Sequence, residues 1–161
     1  MGWVVRPMTG EDVPAARAIM NDIIAAGGTT AYELPFDDAG FAAEHLGDTM
    51  VACHVVVDDA GQVAGFQWLG RHPGMAAEGA VISSFTRRDP PARGAGRALF
   101  QATEAAARAA GVAWIQARIR ADNAPGLGYY SAMGFRDHDV TPGVPLRDGT
   151  PVDRVCKMFT L

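Results

Sequence analysis

The sequence predicts a mixed α/β domain, and three observations carry that prediction. Two apolar runs, Met50 to Val57 and Val63 to Leu69, are joined by Asp58-Asp59-Ala60-Gly61, the pattern of an antiparallel hairpin. Further on, the strand-forming run Ala80 to Thr86, the alanine-rich segment Arg97 to Ala110 and the apolar run Val112 to Ile119 follow in strand, helix, strand order, which calls for a parallel crossover. The chain has 161 residues, which fits a single domain over 1–161. A chain of that size buries roughly 69% of its unfolded surface, enough for a hydrophobic core.

Taken in order, Val4 and Val5 open an extended run, and Thr9, Glu11, Asp12 and Pro14 supply cap and first-turn chemistry for a helix. Ala15, Ile19, Ile23 and Ile24 recur at helical spacing as far as about Ala26, and Gly27 and Gly28 end the helix. The polar and aromatic stretch Thr29 to Pro35 leads to a short helix, Asp38 to Leu46, on which Phe41, His45 and Leu46 share a face. Alternation in Ala80 to Thr86 is weak, so burial on both faces and burial on one are equal readings. The helix from Arg97 has neither glycine nor proline before Gly111 stops it. Ala124 to Met133 is the last helix, closed by Gly134, and Phe135 begins a strand. Pro142, Gly143, Pro145 and Gly149 mark a loop or wide hairpin before the final strand, Val152 to Phe159.

Composition narrows the function. Fourteen basic against 18 acidic residues give a net charge of -4, which disfavours a nucleic-acid partner. Mean hydropathy of +0.03 with 20% charged residues fits neither a disordered chain nor a membrane one. Cys53 and Cys156 lie in apolar runs and read as core residues in a reducing compartment, and Arg6 and Pro7 arrive too early for a secretion signal, so a cytoplasmic location is expected. His45, His54, His72 and His138 form no metal-ligand spacing with one another or with the cysteines, and no metal is expected.

The strongest local pattern is Asp89-Pro90-Pro91-Ala92-Arg93-Gly94-Ala95-Gly96-Arg97, set between a strand and a long helix. Glycines there let the backbone approach a bound group, and the uncapped amides of the helix start can donate to phosphate oxygens. Arg87, Arg88, Arg93 and Arg97 add positive charge. No Lys followed by Ser or Thr succeeds the glycines, which excludes a triphosphate P-loop. The spacing and the preceding elements also fail the dinucleotide fingerprint.

With Val5-Arg6-Pro7 and Asp12, the hairpin ending Ala64-Gly65-Phe66, this glycine loop, and Arg120-Ala121-Asp122-Asn123-Ala124 through Tyr130-Ser131-Ala132-Met133-Gly134-Phe135, nearly the whole chain resembles the GCN5-related N-acetyltransferase (GNAT) superfamily. The resemblance implies a mixed central sheet with a splayed parallel strand pair and flanking helices. It also implies an enzyme that moves acetyl from acetyl-CoA to a primary amine by direct attack in a ternary complex. In the family signature, Gln or Arg is followed by two residues, Gly, one residue, then Gly or Ala. The preferred register puts Gly94 and Gly96 at the small positions and Pro91, which has no amide hydrogen, where Gln or Arg is expected; a second register uses Arg93, Gly96 and Ala98.

Carried onto this chain, the resemblance assigns the amides of Arg93, Gly94, Ala95, Gly96 and Arg97 to the pyrophosphate, and Phe85 and Thr86 to the pantetheine arm. A backbone amide near Phe85 is the expected oxyanion donor. Asn123 orients the cofactor, and Tyr130 protonates the departing thiolate, with its neighbour Tyr129 packing or lining substrate. Glu33 and Glu78 are the carboxylates that could take the amine proton through water, beside a water chain that needs neither. Tyr32, Glu33, Phe36 and Arg147 are expected to line the acceptor pocket. The chain is most similar to the phosphinothricin-type branch, which implies a small amino-acid-like acceptor. Protein N-terminal or lysine acetylation, and a noncatalytic acyl-CoA sensor, are the alternatives. Family members often form dimers, so a homodimer is an open expectation, and neither a nucleic-acid nor a membrane partner is expected.

Overall fold

In the computed structural model, which describes residues 2–161, the predicted elements assemble into one seven-stranded sheet with helices on both faces. The strands are β1 (Val4–Pro7), β2 (Met50–Val57), β3 (Val63–Gly70), β4 (Gly79–Thr86), β5 (Trp114–Arg120), β6 (Arg136–Pro145) and β7 (Pro151–Thr160). The helices are α1 (Val13–Ala26), α2 (Asp38–His45), α3 (Ala95–Ala109) and α4 (Ala124–Ala132). Strand order is β1-β2-β3-β4-β5-β7-β6, antiparallel throughout except between β4 and β5. That parallel pair is matched only from Gly79 to Val81 against Trp114 to Gln116, and the remaining halves of the two strands separate.

Both sheet faces are buried over β4, which settles the reading that weak alternation left open. On one face Val55, Phe66, Trp68, Val81 and Phe85 pack under α1 and α2. On the other, Leu69, Ile82, Ile115 and Ile119 meet Phe100, Ala107, Tyr130 and Phe135. The stripe that α1 buries is Val13, Ala16, Met20, Ile23 and Ile24, so the expected Ala15 and Ile19 are displaced to its flank: Ala15 is exposed and Ile19 half-buried. A 3-10 turn, Gly10–Asp12, precedes α1. Asp12 is 6% exposed and accepts two hydrogen bonds from the Arg6 guanidinium (2.7 and 2.8 Å) and one from the Thr9 amide (2.8 Å).

Some boundaries differ from expectation, β5 beginning at Trp114 instead of Val112. Helix α3 starts at Ala95 instead of Arg97, because Gly94 adopts φ +81° and caps it from the left-handed region. Of the loop or wide hairpin expected around Pro142 and Gly143, the structure shows the hairpin, with strand β6 continuing through both residues and pairing with β7. Strand β6 is an edge strand with a register shift between Thr141 and Val144, and an edge tolerates a residue that lacks an amide hydrogen. Among the described residues no helix is long and apolar enough to cross a membrane.

Candidate active site

Where β4 and β5 part, β4 keeps an edge without a strand partner. The Arg87 amide donates to the Ala64 carbonyl at 2.8 Å, and Phe85 stands opposite Phe66. Ladder bonds alternate along a strand, so Phe85 and the other odd-numbered residues of β4 turn their backbone groups to β3, while Ile82, Ser84 and Thr86 turn theirs to the gap. The amides near Phe85 that face the gap are therefore those of its neighbours Ser84 and Thr86. The Phe85 side chain stacks on Phe66 with ring centroids 5.0 Å apart.

A cleft of about 710 Å³ occupies the gap, walled by Ile82 to Thr86 and by Arg118 to Arg120. Thr29 to Tyr32 form a third wall, held by the Asn123 side-chain nitrogen on the Thr29 carbonyl (2.9 Å) and by Arg120 on the Thr30 carbonyl (3.3 Å). Asn123 also caps α4, its Oδ1 accepting from the Gly126 amide at 3.0 Å. Four arginines line the cleft, Arg88, Arg97, Arg118 and Arg120, and among the described lining residues there is no carboxylate or imidazole. Arg120 is paired with Asp122 at 2.7 Å, and Arg88 reaches Asp22 only at 4.0 Å.

The glycine loop closes one end of the cleft. Gly94, Gly96 and Arg97 line it, and Gly96 and Arg97 stand in the first turn of α3, where backbone amides lack helical acceptors. Ala95 is fully buried, and its amide returns to the Ala92 carbonyl at 3.1 Å. The Trp3 indole donates to the Arg93 carbonyl (2.8 Å), while the Arg93 side chain stays outside the lining. Arg87 braces the loop from behind, bonded to Asp58 (2.9 Å) and to the Pro90 carbonyl (2.9 Å).

At the floor, Tyr130 and Tyr129 reach the cleft from α4. The Tyr130 hydroxyl lies 2.8 Å from Ser84 Oγ. Tyr129 donates to the Gly96 carbonyl (2.7 Å), and Gln67 reaches both Tyr129 (3.0 Å) and Ser84 (2.7 Å) through Nε2. Burial pushes the ionisation of both phenols up, so both hold their protons at neutral pH.

The structure thus gathers Thr86, Gly94, Gly96, Arg97, Asn123, Tyr130, Tyr32 and Phe85 around one cleft. The expected acceptor residues divide. Tyr32 lines the wall with its hydroxyl on Glu44 (2.7 Å), whereas Phe36 packs behind it at 5.4 Å. Glu33 accepts the Arg147 amide at 3.0 Å and ties the Thr29 loop to the β6–β7 turn, with both residues outside the lining. Glu78 stands just before β4, at the end where β4 and β5 are still paired, and is also outside it. Sequence reasoning missed Gln67, Ser84 and Arg118. Gln67, a lone amide in the apolar run Ala64 to Leu69, was the signal available for the first.

A model of the acetyltransferase (GNAT) family matches residues 18–135. No curated protein sequence matches the chain. Among solved structures, a GCN5-related N-acetyltransferase from Kribbella flavida is 25% identical with a TM-score of 0.85, over 99% of this chain and 98% of that one. A ribosomal-protein-alanine N-acetyltransferase from Brucella melitensis is 23% identical (TM-score 0.87, 98% and 99%). A phosphinothricin acetyltransferase from Sinorhizobium meliloti, solved in complex with AcCoA, is 19% identical (TM-score 0.88, 100% and 89%). With a splayed parallel pair, a glycine loop opening a helix at its mouth and the family model spanning residues 18–135, the chain belongs to the acetyltransferase (GNAT) family and is an acyl-coenzyme A-dependent N-acetyltransferase.

Proposed function

We propose that the protein acetylates the primary amine of a small, amino-acid-like molecule, using acetyl-CoA, by direct attack within a ternary complex. The observation that carries this reading is the charge of the cleft: four arginines and no carboxylate among its described lining residues. Arg97 with the first-turn amides of α3 suits a pyrophosphate, as does Arg88 at the same end. Arg118, from the opposite wall, suits the carboxylate of an acceptor, while the Arg120 guanidinium is committed to Asp122 and the Thr30 carbonyl.

The donor fits what the chain offers. Ser84 and Thr86, beyond the last β4–β5 pair, have backbone groups free for the amides of a pantetheine arm, and the glycines leave the loop backbone bare. When bound, acetyl-CoA supplies the thioester whose carbonyl carbon the amine attacks. The edge amides of Ser84 and Thr86 are the donors for the developing oxyanion. Tyr130 holds a proton for the departing sulfur. Among the described residues that line the cleft none is a carboxylate or an imidazole, so the amine gives its proton to water. Tyr32 shapes the acceptor wall, while Glu33, Phe36 and Arg147 support it from behind.

Calorimetric titration with acetyl-CoA, with free coenzyme A as control, tests the donor. Product detection with paired acceptors then tests the class. An L-amino acid should be acetylated at least tenfold faster than the amine formed by its decarboxylation. Equal rates, or a preference for peptides with a free N-terminal alanine, would reject the small-acceptor reading.

A further inference from the structure

The hydroxyl network below the cleft can be followed proton by proton from the Gly96 carbonyl. A carbonyl oxygen accepts and never donates, so Tyr129, 2.7 Å from the Gly96 carbonyl, commits its single hydroxyl proton there. Its oxygen is also 3.0 Å from the Gln67 amide, and that contact requires an N–H pointing at Tyr129. The side-chain nitrogen of Gln67 therefore faces this network, and its second hydrogen goes to Ser84 Oγ at 2.7 Å. An amide nitrogen accepts nothing, so the Ser84 proton goes either into the cleft or to the Tyr130 hydroxyl 2.8 Å away, a contact in which either oxygen can donate.

Resting on the assignment of Tyr130 as proton donor, we propose that Tyr129, Gln67 and Ser84 are positioning residues: a one-way chain of hydrogen bonds, anchored on the Gly96 carbonyl, that leaves the Tyr130 proton free to point into the cleft. Gln67 has 0% exposure, so bulk water does not compete for its hydrogens. Its Oε1 is buried without a hydrogen-bond partner. A methionine or leucine would fill that space without an unpaired oxygen, so the chain keeps a destabilising group for the sake of its nitrogen. The bond donated by Ser84 also counters part of the upward push that burial gives Tyr130, making the phenol a better acid. In the step itself the carbon–sulfur bond breaks with its electron pair on sulfur, the Tyr130 proton moves to that sulfur, and Tyr130 is reprotonated through water by the proton the acceptor nitrogen loses.

Steady-state kinetics of thiol release from acetyl-CoA, with L-amino acids as acceptors, tests the chain in the full-length protein, each variant checked for folding by circular dichroism. Ser84→Ala and Gln67→Leu should each lower kcat about tenfold, the scale of one oriented hydrogen bond, with KM for acetyl-CoA within about twofold. Because both act through one proton, the double variant should fall no further than either single one, and Ser84→Thr should restore most of the rate. Gln67→Met carries the same test should Gln67→Leu fail to fold. Losses that multiply in the double variant, or an unchanged kcat in both single ones, would overturn the chain. Tyr130→Phe separates the two levels: if it retains full kcat, the tyrosine assignment itself fails. If only Tyr130→Phe is impaired, the chain alone is wrong. Without any acceptor, the Gln67 side-chain amide protons should show nuclear Overhauser contacts to the Tyr129 ring, and their absence would overturn the orientation.

Discussion

Tyr129 shows how much one side chain can hold at residue scale. Tyr129→Phe removes one of two donors from the Gly96 carbonyl, which keeps its helical partner, and the acceptor of one Gln67 hydrogen, leaving that N–H unpaired in a poorly hydrated site. Stability should fall by roughly 1–3 kcal/mol, read from urea unfolding. Glu78→Gln should leave kcat within about a factor of two, measured at saturating substrates, since an exposed carboxylate at the paired end of β4 lies outside the cleft. Both expectations expose what residue types alone convey. The phrase from Tyr130 to Phe135 marks the right helix, but which of two adjacent tyrosines meets which partner depends on β3 and β4, distant in sequence and joined only by folding. Glu33 and Glu78 looked equivalent as charges in loops, and only the splay direction separates them.

At the scale of elements, local chemistry was legible wherever one residue dominates the backbone. Gly27, Gly94, Gly111 and Gly134 end or begin helices with positive φ, and the strands between them lie close to their expected bounds. Legibility failed where neighbours decide: Pro142 reads as a breaker until β6 is known to be an edge, and the α1 stripe turns by one position to meet the sheet. The glycine loop belongs to both categories. Gly94 is set by its own φ, but Gly96 is small because of Tyr129, whose Cε1 would lie 2.7 Å from an added Cβ. Gly96→Ala should therefore displace that ring and the first turn of α3 together, weakening acetyl-CoA binding by about tenfold in calorimetry, on the order of the 1–3 kcal/mol typical of overpacking.

For the molecule as a whole, acid sensitivity follows from three groups, Asp12 and His45 buried and His54 half-buried. Burial holds His45 and His54 below the ordinary imidazole range, and the Arg6 guanidinium holds Asp12 below the ordinary carboxylate range. A depressed folded-state value means that the unfolded chain binds protons first as pH falls, so each contribution is present above the unfolded value and is lost below it. Thermal midpoints should decline as pH drops through about 6.5 and again below about 4. Asp12→Asn should lower the midpoint at neutral pH and should cease to differ from the parent once the carboxylate is protonated.

The short parallel match of β4 and β5 has a further consequence for handling the protein. Ser84 and Thr86 present unpaired amides and carbonyls inside the fold, the same template that recruits another chain at the rim of an open sheet. A donor molecule bound there would occupy the adhesive edge. Light scattering on slow warming should therefore begin at a lower temperature in ligand-free protein than in protein saturated with acetyl-CoA, and identical onset in the two samples would show that self-association starts elsewhere.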